Sequence, residues 1–304
     1  MSTSDKNTQP QFQAVHRVLP EGSDNETMPY RDNSYFVVWD TKNQFTMVFY
    51  VWNTPNASAM IRVTAIYGND SITIREPIEE HSECGFITRS KSVEFDLRNP
   101  GIAKVNHPDL CMNVEVKPKF ERALPSGEFI PVEGGKQTHF HYEWTTIVMG
   151  SCTYRGKQLD LNAVGYRDRA IGFREENQMF SEHILFFATF EDYTVQGWGF
   201  LSADRKKKIY AGALYNEDEI KYIKSFPVMR DEAGLFHSSK IVFDDDSEMT
   251  ITLPERDTFI TNPLEIEKVC GPIITIVLEF GKAISSDGNE GYCKVEHSVM
   301  RELF

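Results

Sequence analysis

The side chains best suited to proton transfer lie near the middle of this chain, at a spacing typical of β-strands. One segment places His139, His141 and Glu143 at every second position, and a later segment repeats the spacing with Tyr166 and Asp168. Because successive side chains of a strand point to opposite faces, each set would share one face of its strand. Imidazoles, a phenol and carboxyl groups on neighbouring strands form a composition suited to general acid–base catalysis.

The sequence between these two segments predicts the turn that brings them together. Residues 153–160 read Thr-Tyr-Arg-Gly-Lys-Gln-Leu-Asp, in which a tight turn is flanked by alternating residues. Arg167 and Arg169 would then lie on the face opposite Asp168. A carboxyl group inside an apolar barrel resists ionisation because it is desolvated, which suits Asp168 to the role of general acid. The alternative is a polar strand near a barrel rim, where Asp168 forms structural ion pairs with the arginines.

Short β-prone runs separated by turn residues dominate the chain. Residues 60–67 and 71–75 flank Gly-Asn-Asp, which is a strong hairpin signal. The best helical candidate, residues 217–226, is short and ends at Pro227. We therefore predict an all-β protein with two antiparallel barrel-like domains. The Pro- and Gly-rich stretch 124–137 places the domain boundary between residues 134 and 135, so that residues 135–304 carry the candidate site.

Composition and charge restrict the partners of the protein. The 304 residues carry a formal net charge of -13, and this acidity disfavours binding to nucleic acid. The polar N-terminus lacks a signal-peptide pattern, and no apolar run reaches the ~18 residues that a membrane span needs. The five cysteines include no Cys-x-x-Cys pair, which favours reduced thiols in a cytoplasmic protein. Nothing in the sequence predicts the oligomeric state.

Metal and nucleophilic chemistry have little support in the sequence. The His-x-His pair at 139 and 141 resembles the start of a cupin-type metal cluster, and His183 could add a third ligand. The second motif of such a cluster is absent, however, so we expect no metal. Gly-x-Ser-x-Gly and phosphate-binding loops are also absent from the sequence.

The aromatic strand after the site, residues 184–190, carries apolar side chains on both faces. One face of such a strand covers a core, and the other covers a partner or a ligand cavity. We predict ligand-binding roles for six side chains, three from the segments described above and three from this strand and its neighbours: His141, Glu143, Arg167, His183, Phe186 and Trp198.

The motif at residues 166–172, Tyr-Arg-Asp-Arg-Ala-Ile-Gly, resembles the carotenoid 1,2-hydratase (hydroxyneurosporene synthase) and AttH-like superfamily. The upstream His139-x-His141-Tyr-Glu and the long aromatic strand that follows belong to the same resemblance. Residues 31–36 and 53–56 are similar to the family's opening strand and to the loop after its second strand. The resemblance implies two packed lipocalin-like (calycin) β-barrels. It also implies cofactor-free hydratases or Diels–Alder-type cyclases that act on apolar polyenes, terpenoids or polyketides.

In the family's hydratases, a Tyr-x-Asp pair and an upstream His-x-Trp pair form the site, with the Asp as proton donor. The resemblance therefore implies catalytic roles for Asp168, Tyr166 and His139. The family's Trp falls on His141, and its His-Ser-Trp falls on residues 169–171, Arg-Ala-Ile. Hydration, dehydration, isomerisation and cyclisation share a first proton transfer, and the sequence leaves all four open. A lipocalin-like carrier of a hydrophobic metabolite and an interaction module without a pocket are the non-catalytic alternatives.

Overall fold

The computed structural model describes residues 30–54, 57–81, 87–96, 101–120, 124–125, 139–173, 180–263 and 271–303. These residues contain strands and turns and no helix, which confirms the all-β prediction. The strands of the N-terminal part are β1 (Tyr30–Asp40), β2 (Phe45–Thr54), β3 (Ala57–Tyr67), β4 (Asp70–Pro77), β5 (Glu80–His81), β6 (Ile87–Arg89), β7 (Val93–Asp96), β8 (Gly101–His107), β9 (Leu110–Pro118) and β10 (Leu124–Pro125). Those of the C-terminal part are β11 (His139–Tyr154), β12 (Lys157–Phe173), β13 (Phe180–Thr189), β14 (Thr194–Ser202), β15 (Lys208–Tyr215), β16 (Ile220–Ser225), β17 (Val228–Arg230), β18 (Phe236–Phe243), β19 (Glu248–Pro263), β20 (Gly271–Ser285) and β21 (Glu290–Leu303).

The strands form two curled antiparallel sheets. The first sheet has twelve strands in the order β4-β3-β2-β1-β12-β11-β9-β8-β7-β6-β5, with β10 paired to β11. The second sheet has nine strands in the order β16-β15-β14-β13-β21-β20-β19-β18-β17. An additional pairing of β16 with β18 closes the second sheet into a ring of all its strands except β17. Closure leaves fewer unpaired backbone groups at the sheet edges.

The chain divides into two compact units. The first contains Met1–Ala123 and Phe140–Gly172, and the second contains Leu124–His139 and Phe173–Phe304. The structure thus differs from the predicted boundary between residues 134 and 135. The β11–β12 hairpin belongs to the first unit because its strands lie between β1 and β9 in the first sheet. Backbone hydrogen bonds to strands distant in sequence decide this membership, and residues 126–138 lie outside the described part.

The core of the first unit lies on one face of its sheet, which we call the inner face. Alternate residues of β1, β2 and β12 contribute to it, and the rings of Phe36, Phe49 and Phe95 pack with centroids 5.5–5.8 Å apart. We call the opposite face the outer face. In β1 and β2 the outer face is also buried in its central part, where Val37, Thr46 and Val48 lie. Burial on both faces explains why these strands show little polar alternation.

The β11–β12 turn follows from the local sequence. The β11–β12 turn consists of Arg155 and Gly156, with φ values of 44° and 83°. Two consecutive left-handed residues are the signature of the type I′ turn that two-residue hairpins favour.

The helical candidate at residues 217–226 is not a helix in the structure but contains the strand β16. Its pairing with β15 and β18 outweighs the weak helical periodicity of a short segment.

The cysteines whose side chains are described are free thiols in different surroundings. Cys111 is exposed, whereas Cys152 and Cys293 are buried. Burial raises the pKa of Cys152 to about 12 and also raises that of Cys293. We expect a thiol reagent at pH 8 to label Cys111 in the folded protein and to label the two buried cysteines only after denaturation. Peptide mapping after labelling measures this, with Cys111→Ser as control; rapid native labelling of Cys293 would contradict it.

No helix long and apolar enough to cross a membrane occurs among the residues that the structure describes.

Candidate functional site

A hydrogen bond between two fully buried polar side chains lies at the centre of the predicted site. The Tyr166 hydroxyl of β12 donates to Glu143 Oε1 of β11, and both side chains are 0% exposed. Tyr166 alternates with the core residues of its strand, so the pair lies on the outer face of the first sheet. A buried carboxyl group is stabilised only when hydrogen bonds replace the lost water. The structure thus brings two of the predicted site residues, Glu143 and Tyr166, into direct hydrogen-bond contact.

Aromatic rings extend this pair across the outer face. The ring of Tyr35 meets that of Tyr166 edge-on at 6.2 Å and meets that of Tyr50 at the same distance. Arg62 lies 5.7 Å above the Tyr50 ring, and desolvation lowers the pKa of Arg62. Such rings stabilise positive charge through their electron-rich faces. Sequence reasoning missed Tyr35 and Tyr50, although their alternation with core residues in β1 and β2 is a readable signal.

Asp168 lies two residues from Tyr166 and shares its face, in a half-buried position. Arg167 and Arg169 point to the inner face and are buried there. The Arg167 guanidinium lies 5.4 Å from the centroid of the Phe95 ring. Burial lowers the pKa of Arg167 to about 9, and the nearby Asp96 carboxylate opposes that shift. The strand alternation therefore separates Asp168 from both neighbouring arginines, as the sequence spacing predicted.

The position of the acidic residues relative to the barrel differs from the expectation. We expected the carboxyl group inside a barrel cavity, but Glu143 and Asp168 lie on the outer face of the first sheet. The inner face is occupied by packed apolar side chains together with Arg167. Alternation alone cannot tell which face of a strand becomes the core. The packing of Phe36, Phe49 and Phe95 decides it here.

Three predicted ligand-binding residues lie in the second unit. His183 and Trp198 share the face of the second sheet that lies opposite its core, with ring centroids 5.4 Å apart, and His183 also stacks on Phe200 at 4.8 Å. Phe186 belongs to the core of this unit and packs edge-on against Phe226 at 5.0 Å. A Cβ added at Gly197 would lie 2.2 Å from the Phe186 ring, so this ring is closely packed. Phe186 therefore acts as a core residue.

His139 and His141 begin β11, but their side chains lie outside the described residues, so their predicted roles stay predictions. Within the described part of the chain, no group of three or more His, Cys, Asp or Glu side chains is placed to hold a metal ion.

A second group of ionisable side chains lies in the second unit. Glu182 Oε1 accepts hydrogen bonds from His297 Nε2 at 2.8 Å and from Arg230 Nη2 at 2.9 Å. The hydrogen bond with His297 lowers the pKa of Glu182, desolvation opposes this, and the charge of Arg230 adds to the lowering. The site is partly exposed, so solvent screens these interactions.

This lowered pKa predicts a stability that depends on pH. A carboxyl group whose pKa is lower in the folded state stabilises the fold above its unfolded pKa, and the contribution is lost as the pH falls through the folded value. Glu182→Gln should therefore lower the free energy of unfolding by about 1 kcal/mol at pH 7, and the difference from wild type should shrink below about pH 4. Urea unfolding at pH 7 and pH 3 measures this, with the exposed Glu191→Gln as control. An equal difference at both pH values would contradict it.

Solved structures share this architecture at low sequence identity. An AttH-like protein from Nitrosomonas europaea is 12% identical, with a TM-score of 0.64 over 88% of this chain and 92% of that chain. CghA, crystallised with Sch210972, is 11% identical, with a TM-score of 0.63 over 90% of this chain and 88% of that chain. Kievitone hydratase from Nectria haematococca is 13% identical, with a TM-score of 0.60 over 98% of this chain and 96% of that chain.

These likenesses show the fold, which is the lipocalin-like architecture of AttH-like and hydratase-like proteins. The predicted fold resemblance is thereby confirmed, while the likeness to carotenoid 1,2-hydratase in particular stays a prediction. The model of a domain of unknown function, DUF7064, matches residues 21–301, and the chain therefore belongs to the DUF7064 family. Among curated proteins, none matches this sequence.

Proposed function

We propose that the protein is a cofactor-free acid–base enzyme that acts on an apolar small molecule of terpenoid, polyene or polyketide type. Asp168 is the proton donor, and the reaction is a hydration, dehydration, isomerisation or cyclisation. The observation that carries the proposal is the buried hydrogen bond from Tyr166 to Glu143 beside the half-buried Asp168. Polar groups that are costly to bury are frequently retained at functional sites.

The proposed chemistry begins with proton transfer from the Asp168 carboxyl group. The proton goes to an alkene carbon or to a leaving hydroxyl group, and positive charge develops on the substrate. The rings of Tyr35 and Tyr166 stabilise that charge. The substrate cation then loses a proton to the Asp168 carboxylate, either directly or after a water molecule has added to the cation. This proton transfer completes the cycle. Glu143 holds the Tyr166 hydroxyl in place, and His139 is the second group proposed to receive a proton.

Three observations support this proposal. The arginines next to Asp168 point to the opposite face of β12, so the strand geometry does not direct them towards its carboxyl group. One protein with this fold is named a hydratase. The net charge of -13 disfavours nucleic acid as a partner. A cytoplasmic location is part of the same proposal.

A non-catalytic lipocalin-like binding protein is the alternative. The stacked rings of His183, Phe200 and Trp198 favour it, because aromatic surfaces can hold an apolar ligand without an acid.

Native mass spectrometry of the purified protein with an extract of apolar metabolites separates the two functions. The enzyme proposal expects a compound that binds and is then converted, with a mass change of one water or into an isomer resolved by chromatography. Retention of a compound that is released unchanged would overturn the enzyme proposal and support the carrier.

A further inference from the structure

One polar side chain on the outer face of the first sheet lacks the partner that its burial requires. Asn33 of β1 is 7% exposed, and its Oδ1 has no hydrogen-bond partner among the residues that the structure describes. Asn33 lies two residues from Tyr35 and therefore shares its face. Buried polar atoms of folded proteins are hydrogen-bonded in the great majority of cases, and each exception needs an explanation, such as a catalytic role or a bound group.

Asn33 lies on the strand next to that of the proposed acid. Tyr35 of β1 contacts Tyr166 of the neighbouring β12. In the turn that follows β1, the Asn43 side chain donates a hydrogen bond to the backbone carbonyl of residue 160, so β1 and β12 run antiparallel. Residues before Tyr35 and residues after Tyr166 therefore lie towards the same end of the two strands. Asn33 and Asp168, each two residues from this contact, lie on the outer face at that end.

The outer face around Asn33 carries contacting aromatic rings and passes from exposed to buried side chains. Trp52 of β2 lies directly opposite Asn33 in the strand pairing and is half-buried. Arg75 of β4 is exposed and lies 5.5 Å from the Trp52 ring. The exposed fraction of the side chain thus decreases from Arg75 through Trp52 to Asn33, and Tyr166 on the neighbouring strand is fully buried. An apolar surface with a few polar groups at its inner end is the usual composition of a small-molecule site.

We propose that Asn33 recognises a hydroxyl group of the substrate, which donates a hydrogen bond to Oδ1. The proposal rests on the proposed function, because it places this hydroxyl group next to Asp168 and so next to the reacting carbon. Asn33 is then a specificity-determining residue. The substrate is a hydroxylated compound, an alcohol, enol or phenol attached to an apolar ring or chain, and a pure hydrocarbon would leave Oδ1 without its bond.

Two small probes that differ by one hydroxyl group test the proposal. We expect the wild-type protein to bind 2-naphthol about 5- to 10-fold more tightly than naphthalene, as one added hydrogen bond implies. Quenching of tryptophan fluorescence measures both affinities, and Trp52→Phe shows how much of the signal comes from Trp52. In Asn33→Leu the two affinities should agree to within about 2-fold, because the acceptor is gone.

Controls make the test decisive. Asn162→Leu changes an exposed asparagine of β12 and should keep the preference for 2-naphthol. Asn33→Leu should unfold at an unchanged or higher temperature, since it removes an unsatisfied polar atom; Asn33→Val replaces it if the leucine variant does not fold. An unchanged preference in the Asn33 variants, or equal affinities in the wild type, would overturn the proposal.

Asp168→Asn separates this inference from the proposed function. It should keep the preference for 2-naphthol, because binding of the hydroxyl group depends on Asn33. If the preference behaves as expected but no metabolite is converted, the recognition site stands and the enzyme proposal falls. If conversion depends on Asp168 but the preference is the same in wild type and Asn33→Leu, the enzyme proposal stands and the recognition site falls.

Discussion

Asp168→Asn is expected to bind the metabolite that the wild type converts and to convert it about 10²- to 10⁴-fold more slowly, the usual contribution of a positioned general acid. Asparagine has nearly the same shape as aspartate but cannot donate a proton to a substrate carbon, so binding should change little. Single-turnover conversion followed by chromatography measures the rate, and native mass spectrometry measures the retained ligand.

Asp160→Asn is the matched control for this variant. Asp160 is exposed and lies on the same strand and the same face as Asp168, well away from Tyr166. Its substitution should leave the rate within about 2-fold of wild type, because exposed substitutions away from a site have small effects. A rate in Asp168→Asn equal to that of the control would remove Asp168 from the chemistry and would favour the carrier function.

Arg167→Leu is expected to lower the free energy of unfolding by about 3–5 kcal/mol. The Arg167 guanidinium is buried over the Phe95 ring, and the Asp96 carboxylate, which is also buried, interacts with it. Removal of the cation leaves the buried Asp96 carboxylate without the charge of Arg167, so the desolvation of this carboxylate is less well compensated. Urea unfolding at pH 7 measures the change.

A second variant separates charge from packing in this prediction. The double variant Asp96→Leu, Arg167→Leu should recover a large part of the loss, because two apolar side chains can replace a buried ion pair at little cost. Arg75→Leu serves as the exposed control, with an expected change below about 1 kcal/mol. A double variant that is less stable than Arg167→Leu alone would show that the arginine matters for packing and not for charge.

Local patterns in the sequence were sufficient to predict several features of the site. The period of two places Tyr166 and Asp168 on one face of β12 and the neighbouring arginines on the other, and this follows from backbone geometry alone. The β11–β12 turn was equally predictable, since Arg155-Gly156 suits the two left-handed conformations of its hairpin. The all-β class follows from the density of such short patterns along the chain.

Local sequence patterns could not predict the pairing between distant strands, and this pairing determines where the site lies. The β11–β12 hairpin joins the first unit because β12 pairs with β1, more than a hundred residues away in sequence. Nothing within residues 139–173 specifies that partner, since ladder hydrogen bonds involve the backbone of any strand. The same pairing brings Tyr35 to Tyr166 and places Asn33 and Asp168 towards the same end of the two strands.

The choice of inner and outer face also belonged to the tertiary structure. The sequence by itself determined that Glu143, Tyr166 and Asp168 occupy alternating positions on two joined strands. Only the packed sheet decided that these positions lie opposite the core formed around Phe36 and Phe95, and that the Tyr166 hydroxyl reaches Glu143. The physical reason is that alternation is a property of one strand, whereas burial depends on which side chains of all the other strands fill the same space.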